Sequence, residues 1–256
     1  MPRANRCYLP GYLWHITHRC HKKEFLLKLV KDRQRFLYWL FQARKRYGLS
    51  ILNYIVTSNH IHLLVDGGKT NETISKSIQL IAGRTGQEYN QRKNRKGAFW
   101  EDRYHATAIQ SDKHLFMCIC YIDMNMVRAG VVKHPHEWVH SGFNEIQNPR
   151  RRYNLIDHKK LMKLLNFSDY DLLTKTHSQW IDYAINKSKF LREEKWTEAV
   201  AVGDNDFVEK TAKSLDKRKK SATNITNEYT SQLKEDQAAY NFLNRSSFNN
   251  TYYWDI

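Results

Sequence analysis

The feature that most restricts the fold is a pair of apolar, β-branched runs separated by only two residues. The runs are Leu52–Thr57 and His60–Val65, and the connection between them is short and polar. Two strand-forming runs joined in this way predict an antiparallel β-hairpin. Because side chains alternate along a strand, His60 and His62 should project from the same face. The hairpin therefore predicts two imidazoles side by side at the start of a strand.

Further elements flank this hairpin in an informative order. The periodicity of apolar residues predicts a strand at Tyr12–Thr17, a helix from Asp32 to Gly48, the hairpin, a helix from Glu72 to about Arg92, a strand at Arg103–Gln110, and a helix that Ser111 or Asp112 caps and Gly130 ends. The resulting β-α-β-β-α-β-α order predicts an α+β fold. It is that of a ferredoxin-like split βαβ sandwich, an antiparallel sheet with helices on its faces.

Composition divides the chain into three predicted parts. The sandwich and every candidate catalytic residue lie in 1–140. A basic, mostly helical extension is expected over 141–220, with helices at Leu161–Leu165, Trp180–Phe190 and Asp206–Leu215 and a short strand at Glu198–Gly203. The tail 221–256 is rich in Asn, Ser and Thr and has few aliphatic residues, so we expect it to be flexible.

The charge of the chain indicates a polyanionic partner. In 256 residues, 42 Lys and Arg stand against 26 Asp and Glu, which gives a formal net charge of +16. Such an excess is typical of nucleic-acid binders, although a basic protein can also use its charge for solubility alone. The basic residues are spread among aromatic ones instead of forming one tail, which favours the nucleic-acid interpretation.

The cysteines and the hydropathy pattern indicate the cellular compartment of the protein. The four cysteines show no C-x-x-C spacing and no paired framework, so we expect reduced thiols and no zinc ribbon. The N-terminus lacks the apolar core of a signal peptide, and no run of about 18 apolar residues is present. These features predict a cytoplasmic protein of bacterial type, associated with the nucleoid and without a membrane partner.

A second motif supplies candidate chemistry. Tyr121 and Asn125 are four residues apart in the last predicted helix and therefore share a face, which Arg128 continues. An amide oxygen suits a hard cation such as Mg²⁺ or Mn²⁺, so Asn125 could complete a three-ligand site with His60 and His62. If the strand face and the helix face meet, the sequence predicts a metal site beside a tyrosine nucleophile.

Each of these residues also has an ordinary structural explanation. Paired histidines on a strand and an interior tyrosine more often pack or form hydrogen bonds, and Arg128 could neutralise a helix C-terminus. As a nucleophile, Tyr121 needs activation, because an unperturbed phenol has a pKa of about 10. On the first strand, Trp14 and His15 are assigned to packing and local hydrogen bonding. His18 and His21 point to opposite faces, which excludes a second metal site with Cys20.

Five blocks carry a resemblance to a known family. They are Arg3-x-x-Arg6 with Leu9-Pro10-Gly11, then His15-Ile16-Thr17, Asn59-His60-Ile61-His62-Leu63-Leu64-Val65, Phe99-Trp100-x-x-Arg103-Tyr104, and Tyr121-Ile122-x-x-Asn125-x-Val127-Arg128-Ala129-Gly130. In these blocks the chain resembles the single-tyrosine HUH transposases of small insertion sequences, most closely the REP-associated tyrosine transposase branch. The blocks follow one another in the expected order through about the first 140 residues.

The resemblance implies a reaction and roles for four residues. His60 and His62 would be the HUH ligands, Asn125 the third ligand of Mg²⁺ or Mn²⁺, and Tyr121 the nucleophile toward single-stranded DNA. The product would be a 5′-phosphotyrosine, which a 3′-hydroxyl can reseal, so the enzyme would be a single-strand endonuclease and strand transferase. One position departs from the family, which usually has Pro where this chain has Met126.

The expected partner is single-stranded or hairpin DNA at repeat sequences. Both a homodimer and a monomer fit the sequence. Lysines and arginines are candidates for phosphate contacts and two aromatic residues for base stacking, although Trp100 is also a good core residue. The full set of candidates is Arg19, Lys22, Lys23, Arg92, Lys93, Arg95, Lys96, Trp100, Arg103, Tyr104 and Arg128.

Two other functions use the same residues. A domesticated DNA- or RNA-binding protein would keep the scaffold without cleavage, and the intact His60, His62, Tyr121 and Asn125 argue against such decay. A relaxase or replication initiator uses the same metal and tyrosine chemistry. The small size and the lack of a second nearby tyrosine on the catalytic helix weigh against that nickase.

Overall fold

The computed structural model describes residues 8–68, 70, 72–186 and 193–218. Within these ranges, five strands form one sheet: β1 (Leu13–Arg19), β2 (Ser50–Val56), β3 (His60–Asp66), β4 (His105–Ile109) and β5 (Ala201–Val202). The Arg3-x-x-Arg6 motif, Cys7 and the predicted flexible tail lie outside the described residues.

The strand order is β2-β3-β1-β4-β5, with β1 at the centre. β1 pairs antiparallel with both β3 and β4, and β2 pairs antiparallel with β3. The first four strands therefore have the order of a split βαβ, ferredoxin-like sheet, which confirms the predicted fold class. β5, which the sequence predicted as a short strand, adds to the edge in parallel with β4 and makes the sheet mixed.

Nine α-helices are described in these ranges: α1 (Val30–Tyr47), α2 (Glu72–Arg92), α3 (Lys113–Asp123), α4 (Asn125–Arg128), α5 (Phe143–Gln147), α6 (His158–Leu164), α7 (Tyr170–Asn186), α8 (Lys195–Glu198) and α9 (Asn205–Arg218). The helical extension is thus present where it was predicted. No helix of the described part is long and apolar enough to span a membrane.

Two glycines explain how the long helices end and pack. Gly48 adopts a left-handed φ of 68° and its N–H bonds to the Arg44 carbonyl at 3.0 Å, so α1 stops where predicted. α2 continues unbroken through Gly86, although glycine lowers helix propensity. A Cβ at that position would lie 3.1 Å from the Phe99 Cβ, so the glycine permits close packing.

The last helix of the sandwich differs from the prediction in two ways. It is not one helix up to Gly130, because it breaks at Met124 (φ −73°, ψ −1°) into α3 and α4. The Asp112 side chain makes no capping bond; its backbone has a φ of 64° and its carboxylate accepts from Asn166 Nδ2 at 3.0 Å. The bond between Asp112 and Asn166 is a tertiary contact, which sequence periodicity does not report.

The sheet has one helical layer on each face. Alternation places Trp14, Ile16 and His18 on the face that α1 and α2 cover, since His18 stacks on Trp100, which contacts Phe36 of α1. α3 covers the other face. It is anchored there by Asn53 Nδ2 of β2, which donates to the Ile119 carbonyl at 3.2 Å and to Asp123 Oδ1 at 3.0 Å. The layer formed by α3 faces the side of β3 that carries His62.

The described cysteines are buried and carry no disulfide. Burial raises the pKa of the Cys20 thiol to about 12 and raises the pKa values of Cys118 and Cys120 well above their usual range. Because the thiolate is the reactive form, these thiols are inert packing residues at neutral pH.

Acid should destabilise this fold through a buried histidine. His140 is 5% exposed, and burial, with Arg33 nearby, lowers its pKa from 6.5 to about 4. Between these values the unfolded chain takes up a proton that the folded chain does not, so the free energy of unfolding falls as the pH falls. At pH 5 this effect is about 2 kcal/mol.

Urea unfolding of wild type and His140→Gln at pH 7 and pH 5 tests this prediction. The variant should lose less of its unfolding free energy between the two pH values, by about 2 kcal/mol, whatever its stability at pH 7. An equal loss in both proteins would show that His140 does not carry this pH dependence.

Candidate functional site

The register of the central strands gathers polar side chains on the face beneath α3. Thr17 of β1 pairs with His62 of β3 on one side and with His105 of β4 on the other. Arg19 pairs with His60 in the same way. Paired residues project from the same face of a sheet, so three strands contribute to one polar surface.

A cleft of about 510 Å³ lies between this surface and the end of α3. The structure brings the proposed nucleophile and metal ligands together here, with three of the basic residues predicted to contact DNA. The predicted residues that line the cleft are Arg19, His60, His62, Arg103, Tyr121, Asn125 and Arg128. The strand face and the helix face thus meet as the motif hypothesis requires.

His60 is oriented by its preceding turn. Its Nδ1 lies 2.7 Å from the side-chain oxygen of Asn59, and the Asn59 amide nitrogen donates to the Lys23 carbonyl at 3.2 Å. The latter bond fixes the amide so that oxygen faces the imidazole, and Nδ1 must be the donor. In the neutral ring, Nε2 then carries the lone pair that a metal ion would use.

His62 makes a hydrogen bond at each ring nitrogen. Its Nδ1 lies 2.9 Å from His15 Nε2, and its Nε2 lies 3.0 Å from the side-chain nitrogen of Asn125. The other nitrogen of His15 lies 2.7 Å from the Trp196 carbonyl. A single chain of contacts therefore runs from a backbone carbonyl through two imidazoles to the amide of Asn125.

Burial keeps both imidazoles of this chain neutral. His15 is fully buried and His62 is 3% exposed. Burial lowers the pKa of His15 to about 3 despite the hydrogen bond to the Trp196 carbonyl, and burial with the nearby His15 lowers the pKa of His62 well below its usual value. A neutral imidazole is the form that binds metal.

The donor set fits a divalent cation. Two imidazoles and an amide converge on the cleft, with the rings of His60 and His62 centred 5.0 Å apart and Asn125 in contact with His62. The amide oxygen suits a hard divalent cation such as Mg²⁺ or Mn²⁺, and the open cleft leaves room for a substrate oxygen. Among the described residues no cluster of three His, Cys, Asp or Glu is placed to hold a metal. The candidate third ligand is therefore still the amide of Asn125, as the sequence predicts.

Met126 does not displace the candidate third ligand. The family residue at this position is usually proline, which would restrict the residue before it. Here Met126 is buried and the helix instead breaks at Met124, directly before Asn125. The break gives Asn125 its own short helix and its amide still reaches His62 at 3.0 Å.

Tyr121 is enclosed on three sides and is 8% exposed where it lines the cleft. The edges of its ring meet His15 and His62 at centroid distances of 6.2 and 5.9 Å, and Trp196 lies tilted against it at 5.8 Å. The guanidinium of Arg128 sits 4.1 Å from the ring centroid and donates to the Tyr121 carbonyl at 2.8 Å. Arg128 therefore both satisfies a helix C-terminal carbonyl and places a cation over the phenol.

The other residues predicted to contact DNA are not among those that line the cleft. Lys22 and Lys23 are exposed on the short turn after β1, and Lys93 and Lys96 are exposed in the basic loop after α2. Arg92 pairs instead with the buried Asp32. These lysines stay candidates for phosphate contacts, whereas Arg92 already has a structural partner.

Three predicted contacts have local structural partners. Arg95 donates to the Ala98 carbonyl at 2.9 Å, and Trp100 donates to the Ala82 carbonyl at 3.0 Å while stacking on His18. Tyr104 stacks parallel to Tyr8 at 6.5 Å. Trp100 is held by packing, the alternative that the sequence already favoured.

The sequence missed several residues of the cleft. His15 was assigned to packing and local hydrogen bonding, yet its bonds reach a candidate metal ligand on β3 and the carbonyl of Trp196 in the extension. Strand alternation could have suggested His15, had the β1–β3 register been known. Thr17 and Ala129, which also line the cleft, lie in the motif blocks but were given no role. No sequence signal assigned the remaining lining residues to the cleft, which are His18, Glu101, Asp102, His105, Thr197 and Glu198.

The comparisons with known proteins agree with this architecture. Residues 10–125 match the family model described as transposase, IS200 like. This part of the chain is therefore similar to the IS200-like transposases, which confirms the resemblance found in the motifs. No curated protein matches the chain significantly.

Two solved structures are similar to the chain. The structure of a REP-associated tyrosine transposase bound to a REP hairpin shares 19% identity, covers 60% of this chain and 90% of its own, and has a TM-score of 0.48. A crystal structure of a candidate transposase from Deinococcus radiodurans shares 14% identity, covers 41% of this chain and 84% of its own, and has a TM-score of 0.32.

The donor set predicts metal binding that depends on the amide of Asn125. Asn125→Ala should weaken Mn²⁺ binding at least about tenfold, because only two imidazoles then remain. Isothermal titration calorimetry and the electron paramagnetic resonance of free Mn²⁺ measure the affinity. Asn144→Ala, which removes an amide on α5 outside the cleft, is the matched control. Equal affinity in wild type and Asn125→Ala would exclude Asn125 as a ligand.

Proposed function

We propose that this protein is a transposase that nicks and rejoins single-stranded DNA through a covalent link to Tyr121. The observation that carries the proposal is the convergence of Tyr121, His60, His62 and Asn125 on one cleft. The IS200-like family match supports the transposase class. The match of the motif blocks to the REP-associated branch supports hairpin or repeat DNA as the substrate.

His60, His62 and Asn125 would hold Mg²⁺ or Mn²⁺, which when bound supplies Lewis-acid polarisation of the scissile phosphate. The ring contacts and the enclosing Trp196 hold the phenol of Tyr121 at the cleft, which limits the orientations from which it can attack. The guanidinium of Arg128, 4.1 Å from the centroid of that ring, places a positive charge beside the attacking group.

The reaction exchanges one phosphate-ester bond for another. The phenolic oxygen of Tyr121 forms a bond to phosphorus as the bond from phosphorus to the 3′-oxygen breaks. The phenol loses its proton and the released 3′-oxygen gains one, which leaves a 5′-phosphotyrosine and a free 3′-hydroxyl. The ester energy is kept in the protein–DNA link, so a second 3′-hydroxyl can reverse the step and join a new strand without ATP.

Arginines at the cleft would hold the DNA backbone. Arg19, Arg103 and Arg128 line the cleft and can donate to phosphate oxygens. The exposed Lys22 and Lys23 directly follow β1 and extend the basic surface beyond Arg19. Contacts of this kind position a strand without reading its sequence.

A covalent adduct tests the central claim. Wild-type protein with Mn²⁺ and a labelled single-stranded hairpin from the flanks of its own gene should give a denaturation-resistant protein–DNA band. Tyr121→Phe should abolish the band, because it removes only the attacking oxygen. Tyr38→Phe changes an exposed tyrosine of α1 on the opposite layer and should leave the band unchanged.

Two results would count against the proposal. A band that persists in Tyr121→Phe would assign the nucleophile elsewhere. Binding of every flank without any adduct would favour the domesticated binding protein.

The salt dependence of binding tests the cleft arginines. Affinity for single-stranded DNA should fall steeply with salt. Arg103→Gln should reduce the slope of log affinity against log salt by about 0.7, because the variant neutralises one phosphate fewer. Arg46→Gln, at the end of α1 on the other layer, should leave the slope unchanged. Fluorescence anisotropy at several salt concentrations measures both. Identical slopes in wild type and Arg103→Gln would remove Arg103 from the DNA path.

A further inference from the structure

We propose that His15 is a positioning residue, which holds His62 in the tautomer that binds metal, and that the carbonyl of Trp196 sets the donor-to-acceptor direction of the hydrogen bonds that link it through His15 to His62. We call this series of hydrogen bonds the relay. The proposal rests on the proposed function, because it concerns the same metal site. It assigns a role to one residue of the first strand and to a backbone group of the C-terminal extension.

The hydrogen count along the chain of contacts determines the tautomer. A carbonyl only accepts, so the 2.7 Å contact with Trp196 requires a proton on His15 Nδ1. A neutral His15 then has its lone pair on Nε2, and the 2.9 Å contact with His62 requires the proton on His62 Nδ1. This leaves the lone pair of His62 on Nε2, where Asn125 Nδ2 now donates at 3.0 Å.

The opposite direction would require an imidazolium in the core. If His62 carried its proton on Nε2, its Nδ1 would accept, and His15 would need protons on both nitrogens. His15 is fully buried, and a charge without a counter-ion is costly to bury, so this arrangement is disfavoured. The hydrogen bonds of the relay therefore have one direction: His62 donates to His15, and His15 donates to the Trp196 carbonyl.

The Trp196 carbonyl is held by bonds between the extension and β4. Thr107 of β4 donates to the Ala199 carbonyl at 2.7 Å and lies 3.4 Å from the Trp196 carbonyl. The Ala108 N–H bonds to the Val200 carbonyl at 2.9 Å, where β5 joins the sheet. The indole of Trp196 is 1% exposed and packs against Tyr121. The acceptor at the start of the relay is thus fixed by the sheet itself.

The two candidate imidazole ligands are set by separate acceptors. His60 donates from Nδ1 to the amide oxygen of Asn59, within its own turn. His62 donates from Nδ1 to His15, on the neighbouring strand. Both rings therefore present Nε2 as the lone-pair nitrogen, and loss of His15 should affect His62 alone. Such outer partners of metal ligands typically change metal affinity 10- to 100-fold when removed.

A pair of substitutions separates the two bonds of His15. The amide nitrogen of an asparagine occupies the place of imidazole Nδ1, so His15→Asn keeps the donor to Trp196 and loses the acceptor for His62. The amide oxygen of a glutamine can reach the place of Nε2, so His15→Gln keeps an acceptor for His62. His15→Phe removes both bonds and keeps the ring.

The first measurement is the tautomer of His62 in the metal-free protein, read from long-range ¹H–¹⁵N correlation spectra. Wild type and His15→Gln should show the proton on Nδ1, whereas His15→Asn and His15→Phe should shift His62 toward the Nε2–H form. His60 should keep its Nδ1 proton in all four proteins, which provides an internal control.

The second measurement is Mn²⁺ affinity, which should fall about 10- to 100-fold in His15→Asn and His15→Phe and stay near wild type in His15→Gln. A wild-type His62 protonated on Nε2 would overturn the proposal without any variant. An unchanged tautomer and unchanged affinity in His15→Phe would also overturn it. A wild-type protein that shows the expected tautomer but forms no adduct with DNA would instead contradict the proposed function alone.

Discussion

The pairing of β1 with β3 is the interaction on which the site depends. Its register sets Thr17 opposite His62 and Arg19 opposite His60, so four polar side chains share the face that α3 covers. A slip of one residue would turn His60 and His62 toward α1 and α2, because side chains alternate with a period of two. The apolar residues of β3 resist such a slip, since Ile61, Leu63 and Val65 would leave the core beneath α1 and α2. The packing of the core therefore fixes the position of the chemistry.

Local patterns predicted most of the sandwich. The hairpin, α1 with its Gly48 cap and the full length of α2 follow from periodicity and turn chemistry that act over a few residues. The parallel pairing of β5 depends on a partner distant in sequence, and periodicity also gave no sign of the break at Met124. β5 bonds to β4 across more than 90 residues of chain, and no periodic signal encodes that choice.

The site, too, has one part that local spacing predicts and another that only the fold reveals. His60 with His62 and Tyr121 with Asn125 are pairs whose spacing alone puts them on one face, and each pair could be recognised without the fold. His15 bonds to a carbonyl 181 residues away, so its role follows only from the assembled sheet. Arg92 shows the opposite case. The sequence suggested a surface charge for DNA, whereas the structure pairs its guanidinium with the buried Asp32.

The charges of the cleft act on the substrate and on the proposed ligands together. Arg19 and Arg128 line the cleft where a phosphate would enter, and both also lower the pKa of His62, after burial and the neighbouring histidines. A cation that attracts DNA thus also keeps the imidazole unprotonated, which is the state that coordinates a metal. Carboxylates could hold a cation without such help, but they would repel the phosphate. A site made of two neutral imidazoles and an amide adds no negative charge beside the phosphate, so the three arginines of the cleft need to offset only Glu101, Asp102 and Glu198, which also line it.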